Sequence, residues 1–102
     1  MPSDPHGTPQ PDLDSGLTKI AERVADRLGG REVVLEFVMG ETNYWRAIVY
    51  PTREAIARRL QTDESHLTEG QIFALENRPI GSGKGATRSE AVANVQPVTW
   101  RH

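Results

Sequence analysis

Gly81-Ser82-Gly83-Lys84-Gly85 runs almost directly into Thr87 and Arg88. Closely spaced glycines let backbone N–H groups converge on an anion, and a helix opening at Thr87 would add its positive end to the charges of Lys84 and Arg88. The candidate anion-binding set is therefore Gly81, Gly83, Lys84, Gly85, Thr87 and Arg88. The plainer alternative is a flexible loop between two helices. Other chemistry is scarce. The chain has no cysteine, which removes disulfides, thiolate metal sites and cysteine nucleophiles together. Of three histidines only His66 stands away from the chain ends, and beside Asp63 and Glu64 it reads as a solvated helix-end residue. Neither HxxH nor HExxH spacing occurs, so no metal, cofactor or catalytic residue is assigned and the chain is read as non-enzymatic.

Gly83-Lys84 resembles the glycine-lysine pair in the phosphate loop of P-loop nucleotide-binding enzymes, over about six residues. That resemblance implies anion or nucleotide binding at 81–87. It departs from the pattern at Arg78, where the first loop glycine would stand, and at Gly85, where a Ser or Thr should follow the lysine. A second resemblance spans Thr52 to Thr68, where Ile56-Ala57, Leu60, Ser65 and Leu67 are spaced like the apolar positions of a helix-turn-helix DNA reader. It implies a nucleic-acid-binding regulator built on 52–77; the candidate nucleic-acid contacts in this chain, Arg53, Arg58 and Arg59, lie on the supporting helix and not on the second one. Here the departure is electrostatic, since Asp63, Glu64 and Glu69 fall on the element that should face phosphates. Thr87 to Val95 is also similar to the helix of small HicB-type antitoxin domains.

Aromatic and arginine side chains gather in a third place, Tyr44, Trp45, Arg46 and Tyr50, with Trp100 as a further candidate. In a strand, alternation puts Tyr44, Arg46, Ile48 and Tyr50 on one face and Trp45, Ala47 and Val49 on the other. One face must pack on helices. The other then exposes either a Tyr-Arg-Tyr row or a tryptophan, residue types that concentrate binding energy at protein interfaces.

The elements that position these residues follow from periodicity. Leu17, Ile20, Ala21, Val24 and Leu28 form one helical stripe, giving a helix from about Ser15 to Leu28, capped by Asp14 or Ser15 and stopped by Gly29-Gly30. Val33 to Val38 and Tyr44 to Tyr50 form a hairpin over about 32–50, closed by Pro51. Thr52 opens a helix bearing Ala55, Ile56 and Leu60. For Gln71 to Glu76 a strand and a helix compete. The helix is favoured by the capping box of Thr68 with Gln71 and the apolar staple of Leu67 with Ile72. Thr87 and Glu90 repeat the capping spacing for a helix over Arg88 to Val95, and a possible third strand at about 97–101 would join the hairpin.

The result is a small α+β domain over 12–102: a small antiparallel sheet with three or four short helices, behind a disordered tail at 1–11 rich in proline. A net charge of −2, from 12 basic and 14 acidic residues, supplies no global attraction to nucleic acid or anionic lipid. No run approaches the roughly 18 apolar residues of a membrane span, and no apolar signal region opens the chain, so a cytoplasmic protein is expected. The leading expectation is a regulatory module acting by protein–protein contact, with another protein or a second copy of itself as partner.

Overall fold

The computed structural model describes the backbone of residues 11–100 and the side chains of residues 16–100; the tail expected at 1–11 falls outside these residues except at Pro11. Helix α1 covers Pro11–Leu28. It begins four residues ahead of Ser15, and a proline is compatible with the first helical turn because the N–H it lacks has no partner there. The cap expected at Asp14 or Ser15 lies outside the described side chains.

A four-stranded antiparallel sheet follows, in the order β1-β2-β3-β4, packed against four short helices. Strands β1 (Gly30–Val38) and β2 (Tyr44–Pro51) are the expected hairpin, in register from Glu32 opposite Tyr50 to Val38 opposite Tyr44. Helix α2 (Arg53–Arg59) starts at Thr52, whose Oγ accepts the Ala55 N–H at 3.1 Å. A 3-10 turn at Glu64–His66 leads to α3 (Glu69–Leu75). The competition at 71–76 is settled for the helix: Thr68 Oγ1 accepts the Gln71 N–H and the Gln71 side chain accepts the Thr68 N–H.

Strand β3 (Gly81–Gly85) forms where the glycine content leads to the expectation of a loop. It lies along the free side of β2, with Gly85 opposite Trp45 and Gly81 opposite Val49. Helix α4 (Arg88–Ala93) then caps as expected, Thr87 accepting the Glu90 N–H at 3.1 Å, while the Glu90 carboxylate takes the Ala86 N–H at 3.0 Å. The last strand, β4, is short (Gln96–Pro97) and pairs with β3, not with the hairpin, because β3 already occupies that side of β2. An edge strand tolerates Pro97, whose missing N–H removes no essential ladder bond.

The core gathers Val24 and Ala25 of α1, Ala47 and Val49 of β2, Ile56 of α2, Ile80, Ala91 and Val92 of α4, Val95 and Trp100. Both β2 members come from the Trp45-Ala47-Val49 face, so α1 and α4 cover that side of the sheet. Glycines at alternate positions of β3 make this possible. A methyl group at Gly83 would sit 2.6 Å from the Val95 nitrogen, and one at Gly85 2.6 Å from the Ala91 nitrogen, both inside any tolerable contact. Residues 83 and 85 are therefore side-chain-free so that the backbone of α4 can rest on the backbone of β3.

Candidate protein-interaction face

Among the described residues, no core member projects from the opposite face of β2. Register places four cross-strand rows on it. Val38 and Tyr44 form the first, and Glu36, Arg46 and Lys84 the second. Val34, Ile48 and Ser82 form the third, followed by Glu32 with Tyr50. The apolar row lies between a charged row and a tyrosine, and all of its members are half-buried by their neighbours on the same face.

Arg46 is anchored by Glu36, whose carboxylate accepts from both Nε and Nη2 of the guanidinium. That hydrogen bond, opposed in part by desolvation, holds the Arg46 pKa above its ordinary value. The ammonium of Lys84 lies 5.1 Å from the centre of the Tyr44 ring, and the Arg31 guanidinium lies 5.5 Å from that of Tyr50. Arg31 is in turn tied to the turn after α3, donating to the Glu76 carbonyl at 2.8 Å and to the Pro51 carbonyl at 3.2 Å. Both tyrosines are thus held under cations, which restricts their rotamers before any partner arrives.

Trp45 points the other way. It packs with Phe37 at a ring separation of 5.2 Å and carries the Arg88 guanidinium 5.6 Å above it, on the helix side of the sheet. Trp100 is not near the row at all: it is 7% exposed, its Nε1 donates to the Pro79 carbonyl at 2.8 Å, and Arg59 and Arg78 lie 4.9 and 5.4 Å from its ring centre. Its place is in the core.

The anion-binding candidates do not converge. Gly81, Gly83 and Gly85 belong to a paired strand, Lys84 stands over Tyr44 on the open face, Arg88 stands over Trp45 on the covered face, and Thr87 is engaged as a helix cap. The arginines of α2 also have separate roles. Arg53 is exposed, Arg58 lies 3.7 Å from Glu54, and Arg59 turns inward to donate to the Val98 carbonyl at 3.1 Å, where burial lowers its pKa. Among the described residues no group of acidic or histidine side chains could hold a metal ion, and no helix is long and apolar enough to cross a membrane. His66 is exposed at the end of its 3-10 turn, 3.4 Å from Asp63.

Alternation within 44–50 places Ile48 on this face with the tyrosines, but it gives no sign that Val34, Ser82 and Lys84 lie beside them. The signal was present in 81–85, where glycine alternates with a side-chain-bearing residue at the period of a strand. No protein-family model matches the chain, and neither a curated protein nor a solved structure is detectably similar to it.

Proposed function

We propose that this domain is a non-enzymatic regulatory module that binds another protein through the open face of its sheet, with Tyr44, Arg46, Ile48 and Tyr50 as the main contacts. The observation that carries the reading is the composition of that face: an apolar row, Val34 with Ile48, beside two cation-held tyrosines and an arginine oriented by Glu36. Aromatic and arginine side chains with restricted rotamers lose little entropy on binding, and an adjacent apolar strip supplies desolvation. The Glu36–Arg46 pair faces solvent and is screened by it, so it contributes little to stability and serves mainly to orient the guanidinium.

The full chain, tagged and recovered from its native host, should bring down a stoichiometric protein partner. Ile48→Glu and Tyr44→Ala, each folded by circular dichroism, should reduce that recovery about tenfold or more. Undiminished recovery with both folded variants refutes the reading. Recovery of nucleic acid in place of protein, lost in an Arg53→Ala, Arg58→Ala double variant, would transfer the function to α2.

A further inference from the structure

We infer that β1 is a self-association edge, and that two copies of this chain join their sheets through antiparallel β1 strands across a two-fold axis at Leu35. The inference concerns a different surface from the open face and does not depend on it. Strand β1 is nine residues long and pairs only with β2 among the described residues, so its outer edge is a row of backbone donors and acceptors able to accept another strand. The strand most readily available to every copy is the same strand of another copy, in the isologous contact that a two-fold axis generates.

Among axes from Val33 to Glu36, which keep most of the strand paired, the side chains favour one register. A two-fold axis perpendicular to the sheet keeps each face on its own side, so the axis must pass through a residue. At Leu35, Val33 comes opposite Phe37 and Leu35 opposite itself on the helix side, while Glu32 faces Val38 and Val34 faces Glu36 on the open side. At Val34 the axis would set Glu32 against Glu36, and at Glu36 it would set two copies of that carboxylate together; like charges directly opposite are destabilising. At Val33 it would put Leu35 against Arg31 and leave Phe37 opposite Gly29, where the strand has ended.

The surface beside the edge is self-complementary in that same register. A groove of about 790 Å³ runs between α1 and β1, with Leu17, Ala21, Val33 and Leu35 in its apolar wall. Phe37, on the same side of the same strand, is 49% exposed. Pairing at Leu35 brings each Phe37 beside the partner's Val33 at the wall of that groove, so each copy supplies one projection and one recess.

The chain is free of cysteine, which makes the register directly readable. Leu35→Cys places two thiols opposite each other at a Cα separation of about 4.5–5.5 Å, within disulfide range. Glu32→Cys places them about 20 Å apart. In the full chain, equilibrium sedimentation should give a concentration-dependent dimer, mild oxidation should cross-link Leu35→Cys and not Glu32→Cys, and Phe37→Arg should raise the dissociation midpoint about tenfold or more. A monomer at every concentration overturns the inference. So does a dimer that cross-links equally well through Glu32→Cys or is unaffected by Phe37→Arg. Loss of the dimer with the host partner still bound would leave the open-face reading standing, and loss of the partner with the dimer intact would do the reverse.

Discussion

Trp100 shows how far a residue's chemistry depends on what surrounds it. As a residue type it suits an interface, yet here its ring is nearly buried, its N–H is satisfied by Pro79, and two guanidiniums flank it. Arg59 couples these contacts to the chain end by donating to Val98. Trp100→Ala should therefore cost about 3–5 kcal/mol in urea unfolding, through lost burial and a cavity. Trp100→Phe should cost less, because it keeps most of the ring contacts and loses mainly the hydrogen bond. An equal and small effect of both would show that the chain end is not part of the core. Tyr44 and Tyr50 have the opposite character: cations cover one side of each ring, and neither residue contributes to the core.

Among the elements, β3 and α4 are the pair that defines the domain, because their contact is made by backbone and not by interdigitating side chains. Gly83→Ala should be destabilising by about 1–3 kcal/mol or more, since Val95 and the α4 backbone leave no room for a methyl group. Ser82→Ala, one residue away and on the open face, should change stability by no more than about 0.5 kcal/mol. Thermal or denaturant unfolding of the two variants checks this contrast, and similar losses would place α4 elsewhere. The same alternation bears on the anion-site expectation, because the glycines of 81–85 lie in a paired strand. Glycines that let N–H groups converge on a phosphate equally let a helix settle on a strand, and the choice depends on whether the N–H groups are already paired.

At the scale of the whole molecule, stability is unevenly distributed. Ile80 donates its N–H to Val49 and accepts from Val98, linking β2, β3 and the chain end at a fully buried position. Helix α3, by contrast, has no buried residue, and its Phe73 is 80% exposed. In native-state hydrogen exchange the Ile80 amide should open only with global unfolding, whereas the α3 amides should exchange at a lower opening free energy. Uniform protection across both would contradict this ordering. The functional proposals follow the same division, with the open face and the β1 edge both resting on the rigid sheet and neither on the weakly held helix.

The hairpin was legible in the sequence because the alternation of its two runs and the closing Pro51 are local. So were the starts of α2, α3 and α4, because a cap is a bond between residues three apart. The sequence also determined that the Tyr44-Arg46-Tyr50 row must lie opposite Ala47 and Val49, since strand geometry allows nothing else. Only the tertiary structure decided which of those faces the helices cover. That choice depends on α1 and α4 arriving from distant parts of the chain, and on Gly83 and Gly85 giving α4 a surface without side chains to rest on. Period two in Gly81–Gly85 was present throughout, but a glycine announces its role only through the neighbour that takes the missing side chain's place.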